Sequence, residues 1–350
     1  MFQCLYDVGY EIDHVVIVQF LLYMTYAPTT ICTKGGRHWL DMAIGFAYKA
    51  GLHKDSENRH VSSTRKSLLK RIWCSCLMKD QITALENKAN VRITKENYDI
   101  PMLDLADFNH ETFSCCASTI SLPELDMNIQ PNLAKLCVAN AELCDYIGYV
   151  VTTRYSILSE IRGNNTQSYN TIEIVKEPMP IEEGAIDFVE DCDSGFSQWP
   201  RSNLFEFHSK SMVSKNTSLW TISQRATLRL IYLAAVIALH EYPVSTKANE
   251  QGISWCRVQE ASTEVANIML KLHSLGLIKV LQPFVVTLIS PIVIGNITNL
   301  MSKGESVIQF TKERAFRLTK VVEELADTRP VAGKVFSVIN LSYLHRIRLE

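Results

Sequence analysis

The stretch from Arg37 to Leu103 constrains the chain most, because two tryptophans, Trp39 and Trp73, each sit on a helical apolar face with a glycine turn between them. Trp39, Met42, Ala43, Phe46, Ala47 and Ala50 recur at steps of three and four residues, which places them on one side of a helix that needs a core. Gly51 follows the last apolar position, where a left-handed residue satisfies orphan carbonyls. Gly51-Leu52-His53-Lys54-Asp55 therefore leaves the helix as a turn. A second helix is predicted from Ser63 to Leu85, with Leu69, Ile72, Trp73, Cys76, Leu77 and Ala84 buried and Arg65, Lys66, Lys70 and Lys79 mostly outside. The two Trp-bearing helices are expected to pack as a pair.

Several pieces of this stretch occur in a fixed order. Trp39 precedes Met42-Ala43-Ile44, and Gly51-Leu52-His53-Lys54-Asp55 follows. Lys70-Arg71-Ile72-Trp73 leads to Cys76 and Lys79-Asp80, and Arg92-Ile93 leads to Asp99-Ile100-Pro101-Met102-Leu103. That order resembles the fungal-specific transcription factor domain, the middle homology region of Zn2Cys6 binuclear-cluster activators, and within it the cutinase transcription factor branch. The likeness extends through Tyr10 to Asp13, Gln19 to Leu22, Ala134 to Cys137, Ala238 to His240 and Val258 to Ser262, so it covers nearly the whole chain. It implies an all-α, multi-helix regulatory domain over residues 1–350. Its expected parts are an N-terminal helical half at 1–162, a polar and partly acidic connection at 163–218, and a C-terminal helical half at 219–350. The signature residues it marks, with structural roles, are Trp39, Gly51, Leu52, His53, Asp55, Arg71, Trp73, Asp80, Arg92, Asp99 and Pro101.

Composition narrows the function classes. With 47% apolar and 21% charged residues, the 350-residue chain can bury a sizeable interior, while its net charge of -2 argues against DNA contact by these residues themselves. Ten cysteines, among them Cys4, Cys32, Cys115 and Cys116, contain no CxxC pair, and most lie in apolar helical runs; they read as small buried hydrophobes kept reduced, not as a closed zinc site. The first residues do not read as a signal peptide, and the longest apolar runs are expected to fall short of a spanning helix. Sequons at Asn164, Asn216, Asn296 and Asn340 are then chance matches. Helix-like sequence begins at Met1, and the family's cysteine cluster, linker and coiled coil do not precede it, so the chain is expected to be either a fragment or a naturally shortened regulator. Zinc, and DNA contact through it, belong only to a form that carries the cluster.

Along the chain, Val15, Val16, Val18, Phe20, Leu21 and Leu22 are apolar on nearly all sides and predict a central buried helix over Ile12 to Met24. The His53 to His60 loop holds enough ligand types for a metal or a His-Asp-Ser set. The solvated-loop reading is preferred, with Asp55 or Ser63 capping the next helix. Arg65 to Arg71 is read as the wet face of a helix in preference to a localisation or phosphate-contact patch, with Asp80 as an internal partner for Arg71. Val91 to Pro101 reads as an extended link, and Arg92 as a guanidinium clamp on carbonyls or carboxylates in preference to a ligand contact.

Leu133 to Ile161 predicts a long amphipathic helix; Gly163 to Ser218 reads as an exposed connection, acidic between Glu173 and Asp193. Helices are predicted again at Leu228 to His240, along the stripe Val258, Ala261, Val265, Ile268, Met269 and Leu272, at Ala315 to Leu325, and from Gly333. Pro283 and Pro291 are expected to split the apolar run Val280 to Leu300.

No nucleophile elbow, P-loop, dinucleotide fingerprint or HExxH helix is found, and no base-nucleophile spacing places a proton relay, so no catalytic, cofactor or metal residue is assigned and an enzyme is not expected. The resemblance implies a nuclear transcription regulator of RNA polymerase II genes, gated by a small-molecule inducer in a helical cavity and supported by homodimer or coactivator contacts, with no membrane partner. The gene sets it implies are lipid catabolism or a secondary-metabolite cluster. The alternative is a truncated co-regulator or inhibitor that works by protein-protein contact without binding DNA.

Overall fold

The computed structural model describes residues 11–27, 35–55, 62–108, 129–155, 192–196, 198–199, 219–241, 253–302 and 309–328. Among the described residues the regular elements are helices and there is no strand, so the fold is all-α. The chain divides into two units, Met1–Thr152 and Thr153–Glu350.

In the first unit, α1 (His14–Met24) starts at Asp13, whose side chain accepts from the Val15 N–H. Its buried residues are Val15, Ile17, Val18 and Leu21; Val16 is 43% and Tyr23 80% exposed, so the helix buries one face and not the whole circumference expected of it. That face meets α2 (Gly36–Lys49), where Ile17, Leu21, Trp39 and Ala43 form one cluster flanked by Phe20, Met24, Met42 and Phe46. The stripe of α2 is rotated from the expected one. Leu40 and Ile44 join Trp39, Ala43 and Ala47 in full burial, while Met42, Phe46 and Ala50 are half-buried.

Gly51, at φ 67°, ends α2 as the sequence predicts: its N–H reaches Tyr48 O at 3.0 Å and the Leu52 N–H reaches Ala47 O at 3.0 Å, the two bonds of a Schellman turn. Helix α3 (Ser63–Asn87) is capped by Ser62, not by Asp55 or Ser63, since Ser62 Oγ accepts from the Arg65 N–H. It buries Ile72, Trp73, Cys76 and Leu77, then every residue from Asp80 to Leu85. Burial of each such large apolar side chain is worth roughly 1.5–3 kcal/mol.

Two lysines expected outside α3 are not there. Lys70 has a side chain only 14% exposed and pairs with Asp107 at 2.5 Å; Lys79 lies over the Tyr26 ring, 4.1 Å from its centroid. Long methylene stems let both charges reach acceptors across apolar surface. Helix α4 (Ile129–Tyr155) begins ahead of the predicted Leu133, and its expected last turn to Ile161 lies outside the described residues. Up to Thr152 it belongs to the first unit, where Leu143, Cys144, Ile147, Val150 and Val151 are buried.

The second unit contains a helical turn at 192–196, inside the expected exposed connection, yet Cys192, Phe196 and Trp199 are buried there. Aromatic contact explains it: Trp199 stacks on Tyr232 with centroids 5.5 Å apart. Helices α5 (Leu219–His240), α6 (Ile253–Ser274), α7 (Pro283–Ser302) and α8 (Gln309–Thr328) complete the unit. Contrary to expectation, α5 is long and apolar enough to cross a membrane, but 72% of its apolar window is buried inside the fold, as befits a core helix. Pro283 does start α7, where a missing N–H is harmless, but Pro291 lies within one continuous helix. Ser290 Oγ donates to Val286 O at 2.5 Å beside it, and Asn296, a sequon residue, donates to Ser262 O and Ile292 O.

The described cysteines Cys74, Cys76, Cys137, Cys144, Cys192 and Cys256 are all free thiols. Burial pushes Cys74 and Cys76 up to about 12, whereas Cys256 is exposed, against the buried reading. Residues 56–60, most of 163–218 and the helix expected from Gly333 lie outside the described residues.

Candidate functional site

The signature residues other than Trp39 gather around a strap, residues 89–108, which leaves α3 and runs back along it. Lys88, at φ 46°, turns the chain out of the helix, and the Ala89 N–H reaches back to Ala84 O at 2.9 Å. At the corner stands Asp80, with no exposed surface. Its Oδ2 accepts from the backbone N–H of Arg92 at 2.7 Å and of Ile93 at 2.9 Å, and its Oδ1 accepts from Arg92 Nη1 at 3.2 Å. The Arg92 guanidinium also pairs through Nε with Asp41 of α2. One arginine thus ties the strap to both Trp-bearing helices. Burial pushes the Asp80 carboxyl up, while the two N–H donors and the guanidinium pull it back.

Arg71 is not the partner of Asp80. Its guanidinium lies over the Phe108 ring, 5.7 Å from the centroid, and its Nε donates to Ser67 O. Both groups lie on α3, but the carboxylate is directed to the strap corner, which sequence spacing along one helix does not reveal.

The strap is fastened a second time at Asp99. Its N–H donates to His53 O at 3.2 Å and its Oδ1 accepts from the Asp55 N–H at 2.5 Å, a link across 44 residues. The His53 ring sits in an aromatic setting, 4.8 Å from Tyr48 and 5.9 Å from Trp73. Tyr98 of the strap also packs on Trp73, with ring centroids 5.8 Å apart. Leu52 is buried beneath the turn, and Gly51, Leu52, Asp55 and Pro101 line a cavity of about 220 Å³ with Lys66 and Lys70. Beyond Pro101, Leu103 is buried and Asp104 and Asp107 form a reciprocal cap that receives Lys70. Trp39 stands apart, in the α1–α2 cluster.

On the other flank of the strap, facing α4, lies a cavity of about 390 Å³ walled by Val91, Ile93, Tyr98, Tyr146 and Tyr149. Gln81 of α3 lines it and is 5% exposed. Gln81 and the tyrosines carry no motif, and nothing in the sequence sets Asp41 apart from other helical polar residues; an aspartate and a glutamine in the most apolar stretch of α3 are the signal available.

In the second unit the structure brings together groups that the sequence leaves scattered. His240 Nε2 lies 3.2 Å from Asp193 Oδ1 and its Nδ1 lies 3.1 Å from Ser254 Oγ, while Arg257 Nη2 binds Asp193 Oδ2 at 2.6 Å. The order serine, histidine, carboxylate matches a relay, but the carboxylate is shared with a guanidinium and the group joins the 192–196 turn to the end of α5 and the start of α6. Burial, with the Arg257 and Arg154 charges, holds the His240 imidazole below its usual range despite Asp193. Among the described residues no cluster of three or more His, Cys, Asp or Glu side chains could hold a metal.

The profile of the fungal specific transcription factor domain matches residues 2–177. Over 352 aligned residues the chain is 29% identical to cutinase transcription factor 1 beta of Fusarium vanettenii, covering 94% of this chain and 39% of that protein. Transcription factor cpaR of Aspergillus oryzae is 27% identical over 317 residues, 85% of this chain and 51% of its own length. A Fusarium pseudograminearum transcription factor is 24% identical over 355 residues, again with 39% of its length covered, so the chain spans between two fifths and about half of these relatives. No solved structure matches the chain.

Proposed function

Because the chain belongs to the fungal-specific transcription factor domain family, whose members are transcription regulators and not enzymes, we infer that it is the regulatory part of a zinc-cluster regulator of RNA polymerase II genes that works in the nucleus. The observation that carries this reading is the strap: one segment fastened to α2 and α3 through Arg92, Asp80 and Asp41, and to the Gly51 turn through Asp99. Such an element has a closed state held by a few polar contacts and an open state in which they are lost, which is what a gate requires. Zinc and DNA contact are assigned to a Zn2Cys6 segment in the full-length regulator. Homodimer or coactivator contact carries the output. The name of one relative, cutinase transcription factor 1 beta, favours lipid breakdown over a secondary-metabolite cluster as the regulated set.

The test is to tether the chain to a heterologous DNA-binding domain upstream of a reporter, with and without Arg92→Ala. A reporter response that changes with Arg92→Ala supports gating by the strap. If both forms leave the reporter silent at equal protein levels, the regulatory reading fails. Silence combined with repression of a full-length relative favours the co-regulator form, acting by protein contact alone.

A further inference from the structure

We propose that the cavity beside Gln81 binds a small, uncharged aromatic molecule carrying a hydroxyl group; the proposal rests on the regulatory reading and names the class of molecule sensed. At about 390 Å³ the cavity falls near the lower end of the roughly 300–1,000 Å³ range of small-molecule sites, a size for one or two rings. Its apolar walls come from the strap residues Val91, Ile93 and Tyr98 and the α4 residues Tyr146 and Tyr149, with Thr94 and Thr152 beside them. Tyrosine faces and branched aliphatic side chains favour a flat apolar guest.

Gln81 supplies the recognition. Its side chain is 5% exposed, it lines the cavity, and Oε1 has no hydrogen-bond partner in the protein. Native proteins leave few buried polar atoms unpaired, so an unpartnered acceptor on a residue that lines a cavity marks where a donor is received once the amide turns to it. A hydroxyl suits it best, being able to donate to an amide oxygen or accept from an amide nitrogen. Gly148 keeps the amide in place. A Cβ at that position would stand 2.8 Å from Gln81 Nε2 and 3.1 Å from Cδ, so the bare α4 backbone is what allows the amide to lie against it.

The charged groups of this cavity are exposed side chains, most of them paired. Lys95 Nζ pairs with Asp145 at 3.1 Å, and Glu96 adds a single exposed carboxylate, so a charged guest finds no fixed counter-ion inside. The selectivity rests on shape and one hydrogen bond.

Isothermal titration of the whole chain with 2-naphthol and with quinoline tests the proposal, because the two are alike in size and only the first carries a donor. The expected result is saturable binding of 2-naphthol with quinoline roughly tenfold weaker, the scale of one good hydrogen bond. Gln81→Leu should bring 2-naphthol down to the quinoline level without lowering the unfolding midpoint, since it removes an unpaired amide oxygen. Gly148→Ala, which pushes the amide tip into the cavity, should weaken both probes. Failure of 2-naphthol to saturate, or equal affinity in Gln81→Leu, overturns the site. Either failure leaves the regulatory reading standing on the tethered reporter, which is scored with no added probe.

Discussion

Arg92→Ala should open the strap without unfolding the helices beneath it. Stripping one partner from a buried ion pair costs about 3–5 kcal/mol. The loss here is smaller, because Asp80 keeps the N–H donors of residues 92 and 93 at 2.7 and 2.9 Å. The charged bond that disappears, Arg92 Nη1 to Asp80 Oδ1 at 3.2 Å, is long and belongs near the bottom of the range of about 1.5–3 kcal/mol. The Asp41 arm, with 48% of its side chain exposed, adds no more than about 1 kcal/mol. The expected cost is therefore about 2–3 kcal/mol, which lowers hydrogen-exchange protection of peptides from residues 89–108 about 30- to 150-fold. Asp41→Asn should lower it only a few-fold. The two partners should also couple, so that Arg92→Ala adds little on top of Asp80→Asn. Equal effects of Asp41→Asn and Arg92→Ala, or unchanged strap protection, would refute the clamp.

Gly51→Ala forces a side chain into a φ of 67° and should destabilise the first unit by about 1–2 kcal/mol, with Gly51→Asn milder; thermal unfolding reads the difference. Burial pushes Lys79 down to about 8 against a pull from Glu86, so the folded state disfavours its charge below that pH. Lys79→Met should accordingly raise the unfolding midpoint at pH 7 despite losing the contact with Tyr26, and the advantage should vanish above about pH 10.5, where the unfolded chain is neutral too. His240 is held below its ordinary 6.5 by burial and by the nearby Arg257 and Arg154 charges, with Asp193 opposing. The unfolded chain then takes up the proton first, so stability present above pH 6.5 is lost on acidification, and His240→Gln should flatten the denaturation midpoint against pH.

What the sequence could convey was whatever depends on neighbours along the chain. Gly51 after an apolar stripe announces its own turn, because the left-handed conformation is a property of that one residue, and the periodicity around Trp39 and Trp73 identifies two helices. Arg92 was legible as a clamp because a lone guanidinium between apolar residues needs anions. Its partners were not, since Asp41 and Asp80 meet it only after three segments fold together. Helix burial failed in the same way: the composition around Val16 and Tyr23 gives apolarity, but only packing decides which side is covered. Pro291 was misplaced because a proline removes one hydrogen bond and twenty residues of apolar helix outweigh it. The cavity was invisible, since Gln81 and Gly148 acquire meaning only when α3 and α4 lie side by side.

The two fastenings of the strap also order events in time. Asp80 and Arg92 are separated by 12 residues, whereas Asp55 and Asp99 are separated by 44. Closing the longer loop costs about 1 kcal/mol more in chain entropy. During refolding the corner at Asp80 should form while Asp99 still searches, so a chain arrested midway presents α3 with its strap attached at one end and the His53 turn still bare. The last contact made in this region would then be the first one given up when it is pulled or heated.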